Sequence, residues 1–338
     1  MRGATVYYYS EGYPRSLTSK GFTGLIPVGR VGQPEEELQL AAPGPPLFES
    51  HQVTIADARS SHEDGLRHWR FDVHGFCFAP APPWDDPSPD RFRVPKRVYT
   101  EFGPPLEATM RRCTGAARVF FMSHLVRTED ADTPSYARAA HADYGPEYET
   151  MLRETLVHRY KLPAEEARRC GLCTAGLWQP LDHPAYRDPF CVLDATTLGG
   201  DSGDEKTLRF IDADNDLQYG SDQRRPRRER LPAATQSAPA LAVSAAAPFV
   251  FFRMLESSRC CAQPVFSPQH RWVFCPDMAP SECLVFKHYD FRPDAADCRS
   301  SFHASCPDRF HDGWPECPGR RSLECRILLT FNSEPARL

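Results

Sequence analysis

The sequence predicts a mainly β protein with flanking helices, arranged as a jelly-roll barrel. Three observations carry this expectation. The 33 prolines are spread along all 338 residues, which rules out long uninterrupted helices over most of the chain. Short β-prone runs bounded by Pro, Asp, Ser or Gly recur from His51 to Phe331. Helical signal is concentrated instead, most clearly from Glu147 to Cys170. A jelly roll has an open mouth, and a mouth is where a metal and a small molecule can share a site.

Residues 1–50 read as an irregular lead-in punctuated by Pro and Gly, with Gln33 to Pro46 an exposed loop. A single domain is expected over 51–338. It opens with a strand at His51 to Arg59, where apolar and polar residues alternate, and a second candidate runs from Trp69 to Phe78. Val98, Phe102, Leu106 and Met110 form one helical stripe up to Gly115, and Pro104-Pro105 must kink or delay that helix. Arg118 to Arg127 is dense enough in apolar and aromatic residues to be a buried strand. The helical region from Glu147 breaks at Pro163, and short strands follow at Leu177 to Leu181 and Phe190 to Asp194. Residues 199–247 form a low-complexity insertion, with a basic run at Arg224 to Arg230 and an Ala/Pro/Ser tract from Leu231 to Ala247. The basic run reads as a solvated loop. Four further strands are expected at Phe249 to Phe252, Arg271 to Phe274, Cys283 to Lys287 and Leu323 to Phe331.

Hydrophobic residues at 41% and charged residues at 25% describe a soluble globular chain, long enough to bury a sizeable core. A net charge of −5 argues against a nucleic-acid partner. No apolar run reaches membrane-spanning length, and Met1 to Tyr9 lacks the apolar core of a secretory signal. Thirteen cysteines, an odd number in a chain too large to need a disulfide framework, imply reduced thiols and a cytoplasmic setting. Cys170 and Cys173 have metal-ligand spacing but lack the second pair that a structural zinc site wants. The cysteines from Cys275 onward read as small buried hydrophobes.

The stretch with chemistry in it is His141-Ala142-Asp143. On an extended segment, side chains two apart point to the same side. An imidazole and a carboxylate on one side supply two of the three ligands of a 2-His-1-carboxylate iron site. The tripeptide alone equally fits a loop histidine beside an aspartate that caps the following helix. A second histidine could come from His270, His303 or His311.

In order along the chain, several segments together resemble one family. They are His51 to Arg59, His74-Gly75-Phe76, Arg97-Val98-Tyr99, Thr114 to Val119, His124 to Arg127, and His141 to Tyr144. Trp178 to Leu181, Pro268 to Trp272, Phe286 to Asp290, Phe302 to Ser305 and Arg320 to Arg326 complete the series. The chain is similar in these to the AsaB/CmcJ/NvfI-type hydroxylase/desaturase family of non-haem iron oxygenases, mostly from natural-product pathways. The resemblance implies a double-stranded β-helix (cupin-like) and Fe(II), with 2-oxoglutarate and dioxygen as co-substrates. The expected reaction is hydroxylation, desaturation or oxidative cyclisation of a small secondary metabolite.

The resemblance also implies roles. The metal ligands would be His141, Asp143 and His303, since the distal histidine of such enzymes lies on a late strand ahead of a basic residue. Arg326 or Arg320 would bind the far carboxylate of 2-oxoglutarate through a planar fork, and the other would meet a buried carboxylate such as Glu324 or Asp290. Arg326, inside the apolar strand, is the first choice. His270 followed by Lys287 is the alternative pair. Tyr144 reads as packing beside the site, and His124 and Arg127 as braces. The family's Trp-Arg-Pro-Leu is Trp178-Gln179-Pro180-Leu181 here. That departure keeps open a 2-oxoglutarate-independent oxidoreductase of the same fold; a non-catalytic barrel serving as a binding module is the other alternative.

Overall fold

The computed structural model describes residues 2–9, 48–83, 89–93, 95–128, 140–198, 208–211, 261–264, 266–306 and 316–332. In chain order the elements begin with β1 (Arg2–Tyr9), β2 (Phe48–Asp57), β3 (Phe76–Pro80), α1 (Gly103–Thr114) and β4 (Arg118–Arg127). Next come α2 (Glu149–His158), α3 (Ala164–Arg169), β5 (Gly171–Pro180), β6 (Phe190–Leu193), β7 (Leu208–Ile211) and β8 (Cys261–Pro264). The last four are β9 (Trp272–Phe274), β10 (Glu282–Asp290), β11 (His303–Ser305) and β12 (Ser322–Phe331). Two five-stranded sheets result, ordered β1-β2-β9-β6-β11 and β3-β10-β5-β12-β4, with β7 and β8 as a separate pair. All pairings are antiparallel except β2 with β9.

Alternation along the strands sorts the core into layers. On the second sheet, Cys173, Ala175, Leu177, Cys283, Val285, Leu323, Cys325 and Ile327 face outward and pack with Phe102, Leu106 and Met110 at α1. Between the sheets, Trp178, Leu284 and Phe286 of the second meet Phe190, Val192 and Val273 of the first. Behind the first sheet lie Ile55, Cys191, Leu193, Trp272, Phe274, Phe302 and Ala304. Tyr144, Leu152, Leu156, Leu172, Tyr289 and Leu328 close one end under α2 and α3. Each large side chain so buried is worth about 1.5–3 kcal/mol.

The architecture is the expected jelly roll, but as two facing sheets rather than a hydrogen-bonded closed barrel among the described residues. The predicted stripe of Val98, Phe102, Leu106 and Met110 is buried, and the prolines fall in the first turn of α1, where a missing N–H is harmless. A wide π-turn over Val98–Phe102, closed by Gly103 N–H on the Val98 carbonyl, leads into it. Gly115, at φ 69°, ends α1 in the left-handed region that glycine tolerates.

Three expectations need correction. The lead-in contains β1, which pairs with β2 through a run of β-branched and aromatic residues, Val6 to Tyr9. The stretch from Trp69 begins with a helical turn, Phe71–His74, that ends at Gly75 (φ 86°), so the strand starts only at Phe76. The insertion contributes β7, paired with β8. Gln33 to Pro46, the basic run, the Ala/Pro/Ser tract and Phe249 to Phe252 lie outside the described residues.

One glycine is required by packing. A Cβ on Gly176, on the inner face of β5, would overlap the Phe286 ring. That ring is fully buried, 5.1 Å from Phe190 and 4.8 Å from His303, and has nowhere to retreat. Gly176→Ala is therefore expected to cost about 1–3 kcal/mol by overpacking. Urea denaturation checks this, and Phe286→Leu in the same chain should recover part of the loss.

Candidate metal centre

His141 reaches its position through backbone pairing. Its N–H donates to the His303 carbonyl at 3.1 Å and the His303 N–H donates to the His141 carbonyl at 2.9 Å. This isolated antiparallel bridge attaches His141 to His303 at the start of β11. Ala140 and Ala142 then turn into the core behind the first sheet, which leaves His141 and Asp143 on the inner side with His303. The extended geometry expected of His-x-Asp is therefore present. Asp143 Oδ1 lies 3.3 Å from His141 Nε2, the imidazoles of His141 and His303 are 4.3 Å apart, and one ligand atom from each residue falls within 4.8 Å of the others.

The surroundings prepare these groups to donate electron pairs. Burial would raise the Asp143 carboxyl, but the Arg326 guanidinium, then His288 and His141, hold it well below the usual carboxylate range. Arg326 Nε donates to Asp143 Oδ2 at 3.0 Å. Burial, then His141, pushes His303 well below the ordinary imidazole value, so its ring is neutral with a lone pair available. Phe190 stacks on His303 at 5.1 Å and Phe286 meets it edge-on at 4.8 Å.

The arginines differ from expectation. Arg326 lies on β12 and pairs with Asp143, not with Glu324 or Asp290. Glu324 receives a 3.1 Å bond from Arg127 Nε on β4, and burial opposed by Arg127 leaves it near 2. Asp290 is held by Lys287 and Arg292. Arg320 precedes β12; it is buried, bonds the Asp188 carbonyl and Ser305 Oγ, and sits 5.6 Å over the Trp178 ring. Ser305 is two residues beyond His303 on β11, so Arg320 also reaches the inner side.

Other candidates stand elsewhere. His270 is buried in a turn before β9 and is not in the cluster. Lys287 bonds Asp290 Oδ2 and the Cys298 carbonyl, 5.1 Å over the Phe71 ring. Gln179 shares the strand parity of Leu177, which faces α1, rather than that of Trp178. His124 bonds the Phe92 carbonyl among Tyr99 and Phe121. Tyr144 is packed 5.1 Å from Tyr148, its hydroxyl pushed up to about 12 by burial. The described cysteine side chains, Cys170 and Cys173 included, form no disulfide. His311 lies outside the described residues.

Sequence reasoning missed His288. It is fully buried, with Nδ1 3.7 Å from Asp143 Oδ2. Its segment belongs to the series that carries the family resemblance, yet no local pattern marks this residue, because it lies at a β-bulge.

Known proteins resemble this chain in sequence and in fold. The family model described as oxidoreductase/YMDC permease-like domain matches residues 29–220 and 244–330. The hydroxylase/desaturase asaB of Aspergillus flavus is 29% identical over 175 residues, 52% of this chain and 62% of that protein. The chain thus matches less than two thirds of that relative's length. The hydroxylase/desaturase efuI of Hormonema carpetanum is 24% identical over 71% of this chain and 72% of its own length. Among solved structures, the iron and alpha-ketoglutarate-dependent endoperoxidase NvfI superposes with a TM-score of 0.64, at 18% identity and 98% coverage of both chains. A tryptophan-to-phenylalanine variant of that enzyme superposes with the same score, coverage and identity. The fold is shared, and the chain belongs to the oxidoreductase/YMDC permease-like domain family.

Burial holds His270 down to about 4 and His288 also to about 4, against an ordinary 6.5. Such rings stay neutral in the folded chain at pH values where the unfolded chain has charged them. The unfolded state then binds more protons, so stability is full above about 6.5 and falls as pH drops toward 4. His270→Gln should flatten that slope by at most about 3 kcal/mol, read from denaturant midpoints between pH 7 and 4.

Proposed function

We propose that this chain is a non-haem iron(II)- and 2-oxoglutarate-dependent oxygenase that hydroxylates, desaturates or oxidatively cyclises a small natural product. The observation that carries the proposal is the convergence of His141, Asp143 and His303, with one ligand atom each within 4.8 Å of the others. Two imidazoles and one carboxylate are the donor set that suits ferrous iron and leaves coordination positions for a chelating acid and dioxygen. The asaB and efuI relatives, named hydroxylase/desaturases, and the fold shared with NvfI support the same reaction class. The chain is taken as one cytoplasmic domain with an insertion, acting without a nucleic-acid or membrane partner. The odd number of cysteines and the net charge of −5 support this reading.

Bound there, iron(II) with 2-oxoglutarate and dioxygen would supply the oxidation of an unactivated C–H bond. The protein's own residues supply geometry and charge. His141 and His303 offer lone pairs from a rigid backbone bridge. Arg326 fixes Asp143 and keeps it anionic, acting through the ligand and not on the co-substrate. Arg320, buried beside Ser305 and Trp178, takes the far carboxylate of 2-oxoglutarate through its fork. Phe190 and Phe286 exclude water from the His303 side.

The apo-protein, given iron(II) and then 2-oxoglutarate without oxygen, should develop a weak visible charge-transfer band. His303→Ala should lose it and His270→Ala should keep it. Arg320→Leu should still bind iron(II) but need at least about tenfold more 2-oxoglutarate, the loss expected for a charge-assisted pair. Loss of the band in His270→Ala alone would move the third ligand.

A further inference from the structure

β10 carries one residue more than its partner. Its register on β5 runs Phe286–Gly176 and Lys287–Ala175, then resumes at Tyr289–Thr174, so His288 has no partner of its own. This bulge is pinned by a side chain: Thr174 Oγ1 donates to the Tyr289 carbonyl at 3.2 Å and accepts from the Tyr289 N–H at 3.1 Å. A bulge re-aims a side chain and is frequent next to active sites. Here it turns His288 inward, 4.9 Å from Phe286, 5.5 Å from Tyr144 and 5.7 Å from His303.

The ring is fully buried, and neither of its nitrogens has a hydrogen-bond partner among the described residues. A neutral imidazole always presents one donor and one acceptor, and leaving both unmet in a core costs more than an apolar ring would. Phenylalanine would fill the same aromatic slot without that cost. Asp143 Oδ2, at 3.7 Å, is too far for a hydrogen bond and is occupied by Arg326. Nδ1 thus stands beside the metal ligands, 3.7 Å from Asp143 Oδ2, with the ring 5.7 Å from that of His303. We infer that His288 is a binding residue for the acid that occupies this centre, holding the chelating end of 2-oxoglutarate by a hydrogen bond from one ring nitrogen. The assignment rests on the oxygenase proposed above.

The test uses His288→Phe, which keeps the ring, and His288→Asn, which keeps a donor and an acceptor. Iron(II) affinity and the anaerobic 2-oxoglutarate titration are measured separately for each, with thermal melts as a fold control. His288→Phe should bind iron(II) within about threefold of the unaltered protein, yet weaken 2-oxoglutarate by about tenfold or more and shift its charge-transfer band. His288→Asn should restore most of that affinity. Unchanged 2-oxoglutarate affinity and band position in His288→Phe would make His288 a packing residue and overturn the inference. Loss of iron(II) itself in both folded variants would overturn it too, by making His288 a metal ligand. If the unaltered protein binds iron(II) but gives no band, the co-substrate assignment itself falls, an outcome the variants alone cannot produce.

Discussion

Two backbone hydrogen bonds between His141 and His303 hold the candidate centre together. They place residues distant in sequence directly opposite each other, so both imidazoles emerge on the same side of the sheet edge. Each such bond contributes only about 1 kcal/mol net, so the bridge needs support from packing. Ala140 and Ala142 provide it: both are buried behind the first sheet beside Phe302 and Ala304. Small side chains there let the segment lie close against β11, and their burial on one side fixes His141 and Asp143 on the other.

Charge on the inner face is arranged in alternation. Arg127, Glu324, Arg326 and Asp143 follow one another across β4, β12 and the bridged segment, each buried acid facing a base. Buried charges are tolerated only when paired in this way. The order leaves one Asp143 oxygen on Arg326 and the other toward His141. A second set, Lys287, Asp290 and Arg292, closes on itself at the far end of β10 and ties it to Asp72 in the helical turn Phe71–His74. The two sets lie on different strands and divide the work, one serving the centre and one the frame.

Much of this was legible in the sequence, for identifiable reasons. His141 and Asp143 could be read because period-two geometry is local. β10, β12 and the stripe leading into α1 were legible because dense or periodic apolar residues betray buried faces, whereas β4, expected as a buried strand, is an edge strand and only partly buried. His303 was legible only through family order, since β11 is three residues long and has no pattern of its own. The partner of Arg326 was not legible, because a cross-sheet ion pair depends on which strands become neighbours. β1 was passed over because the Pro/Gly punctuation that follows it masked a short β-branched run. His288 was invisible for a subtler reason: a bulge breaks the alternation from which inward and outward faces are read.

That bulge also sets two demands on β10 against each other. Shortened by one residue, the strand would pair with β5 without interruption, and the sheet would be the more regular for it. The same deletion would remove the imidazole that looks toward Asp143 and release Thr174 from its grip on Tyr289. Regularity of the ladder and composition of the interior are thus in competition at this position, and the chain has settled for the less perfect sheet. Along β10, therefore, length is a stricter constraint than identity: an exchange of side chains changes what the interior presents, whereas a change of one residue in length resets the frame in which the strand is read.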